Sequence, residues 1–81
     1  MSSTLTPDER AEASRYSMTI AWDPADRIYV VTVPELPGCL THGATQEEAV
    51  RQGLDAIATW LAMARAWGDP IPAPRVFADA R

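Results

Sequence analysis

The one cysteine and the one histidine of this 81-residue chain, Cys39 and His42, stand three residues apart between Gly38 and Gly43. A thiol beside an imidazole is the pairing of nucleophilic catalysis, in which the imidazole takes up the thiol proton. In an extended strand, however, residues i and i+3 project to opposite faces, so this spacing parts the two groups unless a bulge intervenes. A structural zinc ion takes four ligands, usually several cysteines and histidines, and one of each falls short. The other candidates are carboxylates: Asp23, Asp26, Glu35, Glu47, Glu48 and Asp55. Asp23 and Asp26 flank a turn, where acids commonly bond their own backbone. Glu47 and Glu48, about 100° apart on a helix, read as first-turn acids favoured by the helix dipole. There is no glycine-rich phosphate loop, nucleophile elbow or paired-histidine helix. No catalytic residue, metal-ligand set or cofactor motif emerges, and a non-enzymatic function is expected.

The elements that must position any site follow from periodicity. Tyr16, Met18, Ile20 and Trp22 alternate with Ser17, Thr19 and Ala21, the pattern of a half-buried strand. Asp23-Pro24-Ala25-Asp26 makes a turn, and the β-branched run Ile28 to Val33 a second strand, so the two form an antiparallel hairpin. Pro34, Pro37 and Gly38 break the run, and Cys39 to His42 reads as a short third strand ended by Gly43. Thr45 with Glu48 three residues later forms a capping box. Val50, Leu54, Ile57, Leu61 and Ala64 then recur at helical spacing as far as the stop at Gly68, with Pro70 beyond. Roughly 22 residues make a rod of about 33 Å, enough to cross a small sheet. Gly53 in mid-helix costs up to about 1 kcal/mol in propensity, which points to close backbone packing.

Both ends differ in character. Residues 1–15 hold few large apolar side chains and are expected to form a flexible arm that adds little to a core. Within it Thr6-Pro7-Asp8-Glu9 has the order of a helix start, compatible with a short helix over about Pro7 to Ser14 or with a disordered extension. From about residue 69 the tail carries Pro70, Pro72 and Pro74 and is expected to be extended, with a short edge strand around Arg75 to Ala78. The order strand, strand, strand, long helix, extended tail defines an α+β fold: a three- to four-stranded antiparallel sheet with one long helix packed on it.

Size and charge narrow the function. A chain this short buries about 60% of the surface its unfolded form exposes, so it makes a single domain with one sheet-and-helix layer pair. Seven arginines, no lysine and eleven acids leave a net charge of -4. This weighs against a general phosphate-backbone binder, which needs clustered basic residues, and suits either a basic partner or plain solubility. The apolar stretch from Ala56 to Ala64 falls far short of the roughly 20 residues that span a bilayer. A single thiol makes no disulfide framework and the N-terminus has no signal-peptide pattern, so a cytoplasmic location is expected. Trp60, Met63 and Trp67 share a stripe beside the core stripe of the helix, making its apolar surface wider than one sheet face requires. They either close the edge of the same core or form a subunit or partner interface, where Trp and Met are enriched.

The run from Tyr29 to Ala49, YVVTVPELPGCLTHGATQEEA, resembles the signature of HicB-type antitoxins. The matching residues are Pro34 to Cys39, Gly43, Thr45 and Glu47 to Ala49. The similarity continues through Trp60-Leu61 to Gly68-Asp69-Pro70-Ile71-Pro72, and so covers about Tyr16 to Pro74. The resemblance implies a partial RNase H-like fold that has lost the acidic metal constellation and binds instead of cutting. It implies a small basic HicA-like toxin, an RNA-cleaving protein, as partner, and assembly into a dimer or larger homo-oligomer. The motif residues Pro34, Pro37, Gly38, Cys39, Gly43, Thr45 and Glu48 are then structural, setting a turn and capping a helix. Many such proteins carry a C-terminal DNA-binding module for which a chain ending at Arg81 has no room, so direct DNA binding by this chain alone is not expected. The family's glycine-rich hairpin turn is also replaced here by Asp23-Pro24-Ala25-Asp26. The leading expectation is therefore an antitoxin that masks an RNA-cleaving toxin. A second is a stand-alone oligomeric domain of the same fold that binds a small ligand or a regulatory protein. A residual nuclease ranks last.

Overall fold

The computed structural model describes residues 5–77. Helix α1 (Pro7–Ala13) leads into β1 (Thr19–Asp23), β2 (Ile28–Thr32), β3 (Leu40–Gly43) and helix α2 (Gln46–Trp67). The strands form an antiparallel meander in the order β1-β2-β3, with Ile20 opposite Val31 and Val31 opposite Thr41. This is the expected α+β architecture, with three strands among the described residues. No fourth strand forms over residues 75–77, and Ala78 lies outside the described residues, as do the first four residues of the expected arm and the last four of the tail.

One sheet face carries α2, which packs on β3 and β2. A Cβ built on Gly53 would meet the Met18 and Val31 side chains, which places α2 directly over Val31. By strand alternation Val33 and Gly43 share that face. The opposite face, with Ala21, Thr32, Leu40 and His42, is open to solvent. Fully buried Leu36, Ile57, Leu61 and Val31 form the centre of the core. The buried line of α2 runs through Ala49, Gly53, Ile57, Ala58, Leu61 and Ala64. Val50, assigned to this stripe from sequence, is instead exposed, because close approach of helix to sheet selects the small residues Ala49 and Gly53 for the contact. The helix ends on Gly68 in the left-handed conformation, φ 71°, a backbone state that costs other residues.

Two strand boundaries shift. Tyr16 precedes β1, its N–H bonded to the Ala13 carbonyl at 3.2 Å in the turn that leaves α1. Trp22, expected on a half-buried face, is 51% exposed, since α2 lies toward β3 and leaves the far end of β1 uncovered. It rests against Tyr29, its direct cross-strand neighbour, with ring centroids 5.0 Å apart. The third strand starts at Leu40, because the Cys39 N–H is engaged in a turn with the Leu36 carbonyl at 3.0 Å.

Of the two forms expected for the N-terminal segment, residues 7–13 take the helical one, but they pack against the domain instead of forming a loose arm. Helix α1 carries a full capping box between Thr6 and Glu9, packs against α2 and buries Ala13 completely. Large apolar residues are indeed scarce here. A small residue nevertheless lets two helices approach closely, and Leu5 and Tyr16 complete the contact with the core. The Glu12 carboxylate grips the Arg65 guanidinium of α2 through two bonds, one of 3.0 Å. The Arg65 bonds draw the Glu12 pKa down, but solvent screens an ion pair this exposed, so packing and not charge holds α1 in place.

In the β1–β2 turn, the Asp23 carboxylate accepts the Ala25 N–H at 3.0 Å and the Asp23 carbonyl accepts the Arg27 N–H at 2.7 Å. The turn closes on Arg27 at φ 56°, a left-handed state that costs a side-chain-bearing residue about 1–2 kcal/mol. Arg27→Gly removes that strain and returns part of it as unfolded-chain entropy. A net stabilisation of about 0.5–1 kcal/mol is expected, read as a rise in the urea midpoint with an unchanged slope.

Candidate functional site

Between β2 and β3 the chain must reverse and re-enter the sheet, and Pro34-Glu35-Leu36-Pro37-Gly38-Cys39 does so. The Leu36 N–H donates to the Val33 carbonyl at 3.1 Å and the Val33 N–H to the Cys39 carbonyl at 3.2 Å. Gly38 supplies the left-handed step, φ 77°. Pro34 and Pro37 face solvent, while Leu36 is fully buried and Cys39 nearly so. The indole N–H of Trp60 on α2 donates to the Pro37 carbonyl at 3.0 Å, tying the loop to the helix.

Downstream, Gly43 lies against the first turn of α2: a Cβ there would stand 2.5 Å from the Ala49 nitrogen and 2.8 Å from its Cα. The Thr45 hydroxyl accepts the Glu48 N–H at 3.1 Å. The Glu48 carboxylate reaches back to the Ala44 N–H at 2.9 Å, one residue beyond the cap residue that the capping-box pattern designates. All seven motif residues thus fall in one continuous stretch that closes the sheet and starts the helix.

Glu35, one of the candidate carboxylates to which the sequence assigns no role, is turned inward. It is 9% exposed, and one carboxylate oxygen accepts the Ser17 N–H at 2.9 Å, the Ser17 hydroxyl at 3.0 Å and the Arg75 N–H at 2.9 Å. Its other oxygen is buried without a partner. Burial opposes its ionisation, but the donors from Arg75 and Ser17 outweigh it and hold the carboxyl below the usual value. Glu35 therefore joins three segments: the entry to β1, the loop, and the tail. The tail has a second tie, from the Tyr16 hydroxyl to the Pro72 carbonyl at 2.6 Å. No local signal marks it, because Glu35 lies in the turn after β2, where strand alternation has ended.

Cys39 and His42 do not meet. Cys39 is buried and His42 exposed, and among the described residues no three His, Cys, Asp or Glu side chains cluster as metal ligands. Burial pushes the Cys39 thiol pKa up, which disfavours the nucleophilic thiolate. Ellman's reagent is expected to leave the native protein essentially unlabelled and to titrate one thiol after unfolding in guanidinium.

The aromatic stripe of α2 borders a groove. Two adjoining depressions of about 360 Å³ and 220 Å³ share Trp60 and Met63. The larger runs along β3 past Leu40, and the smaller reaches Trp67 and Asp69. Trp60 is half-buried and packs on the core, whereas Met63 is exposed and Trp67 is 71% exposed. The three residues are thus brought together, one anchoring the loop and two facing solvent. This arrangement can bury an apolar segment. No helix among the described residues is long and apolar enough to cross a membrane.

The molecule is a small α+β domain in which a proline-glycine loop locks a meander sheet to one long, capped helix. A family model described as HicB-like antitoxin of bacterial toxin–antitoxin systems matches residues 16–81, and the chain belongs to that family. It is also similar to the UPF0150 protein Ta0767 of Thermoplasma acidophilum, at 38% identity over 58 residues, covering 72% of this chain and 83% of that protein.

Proposed function

We propose that the chain is an antitoxin that binds a HicA-like RNA-cleaving toxin in the cytoplasm and masks its active site or RNA surface. The mechanism is stoichiometric occlusion, without turnover, metal or cofactor, on a frame of partial RNase H-like type. The observation that carries this reading is the family match over residues 16–81, with the motif residues Pro34 to Thr45 engaged in the loop and helix cap instead of in a reactive site. A net charge of -4 supports it, since an acidic surface steers and orients a basic toxin. The exposed Met63 and Trp67 support assembly into a homo-oligomer, and the shortage of basic residues supports protein in preference to DNA as the bound partner.

Co-expression is the test. Cells producing a HicA-like toxin encoded beside this chain should resume growth when the chain is induced, and the two proteins should co-purify at a fixed ratio. Persistent RNA cleavage with no co-purification overturns the proposal.

A further inference from the structure

The groove on α2 and the tail of the same chain are chemically matched, and each keeps large apolar side chains exposed within one molecule. The Arg75 N–H is held by the Glu35 carboxylate, and beyond that anchor Val76 and Phe77 stand 78% and 92% exposed. They are not in the molecule's own groove, whose lining is Trp60, Met63, Trp67 and their neighbours. The charged residues lining the two depressions are Asp55 and Asp69, both acidic. Residues 73–77 of the tail carry one charge, the positive Arg75. An arginine beside a valine and a phenylalanine is thus complementary to a surface of indoles and a thioether lined by Asp55 and Asp69, where a guanidinium gains from both acid and ring.

Geometry favours a polypeptide over a small molecule as occupant. The smaller depression, about 220 Å³, lies below the roughly 300–1,000 Å³ of ligand pockets, and both open to the surface as side-chain seats. The larger one follows β3, an edge strand of the sheet. Since the Val33 N–H bonds the Cys39 carbonyl, the antiparallel alternation turns the main-chain groups of Leu40 outward at that edge. An extended segment can pair there while its side chains enter the groove.

We infer that the tail from Arg75 to Phe77 docks into the Trp60–Met63–Trp67 groove of a second copy of this chain. Reciprocal exchange gives a two-fold dimer with two identical tail-in-groove contacts, each seating one phenylalanine near Trp67 and one Arg75 near Asp69. Exchange between copies buries the apolar residues that a single small domain leaves in water.

Sedimentation equilibrium on the full chain, without any toxin, tests this independently of the antitoxin reading. The wild-type chain should dimerise, and both Phe77→Asp and the pair Trp67→Ala with Asp69→Arg should weaken the dimer by at least about tenfold. All these side chains are exposed, so the far-ultraviolet circular dichroism should not change. Mixing the tail variant with the groove variant should restore a heterodimer, because one intact tail still meets one intact groove. A monomeric wild-type chain, a Phe77→Asp dimer as tight as wild type, or no recovery on mixing each overturns the inference. A toxin complex that forms normally with Phe77→Asp leaves the antitoxin proposal standing.

Discussion

Gly43→Ala is expected to lower stability by about 3 kcal/mol, at the upper end of what overpacking costs, and melting temperature by on the order of 15 °C. Three backbone atoms of Glu48 and Ala49 lie within 2.9 Å of where the new methyl would sit. Backbone cannot rotate aside as a side chain can, so the first turn of α2 must lift off β3. That movement loosens the Thr45 cap and the burial of Ala49. Gly53→Ala is the control. There the nearest atom is the Met18 sulfur at 2.6 Å, on a flexible side chain, and about 1 kcal/mol of helix propensity is regained. Its expected effect is small in either direction. Thermal and urea unfolding of the two variants measure the contrast, and equal losses would place the constraint at α2 as a whole instead of at its first turn.

Glu35→Gln is expected to destabilise by about 2 kcal/mol, because charge-assisted hydrogen bonds from Ser17 and Arg75 become neutral ones and an amide donor is buried without an acceptor. The pH dependence carries a sign. Burial raises and hydrogen bonding lowers the Glu35 pKa, with a net fall below the ordinary 4.5. A carboxyl lowered on folding contributes stability that is full above its unfolded value and is lost as pH falls through its folded value. Wild type should therefore exceed Glu35→Gln in stability at neutral pH, and the difference should shrink below about pH 4.5. Amide exchange at Ser17 and Arg75 should quicken in the variant, since both N–H groups lose the carboxylate that holds them. A difference that stays constant down to pH 2 would assign the loss to packing instead of charge.

Much of the fold was legible because local rules and the global arrangement agree. Thr45 as cap and Gly68 as left-handed stop bracket α2, and its 22 residues match the span read from the periodicity. Cys39 and His42 were separable from spacing alone, since strand parity is a local property. Glu35 was harder. Between two prolines it reads as a solvated loop acid, and its burial depends on Ser17, 18 residues upstream, and Arg75, 40 residues downstream. The docking of α1 escaped for a related reason: Ala13 offers little hydrophobic signal, yet its smallness lets two helices touch.

The order of the three strands and the long helix, with that helix's cap at Thr45 and stop at Gly68, follows from the sequence by itself, because capping, turn chemistry and periodicity act over a few residues. The tertiary structure decided which apolar residues stay in water and which acid goes inside. It placed α2 toward β3, leaving Trp22 and Trp67 exposed while sealing Leu36 and Ile57, and it gathered Ser17, Glu35 and Arg75 at one point. Burial is a property of neighbours distant in the chain, set by how a helix crosses a sheet and fixed when the layers pack.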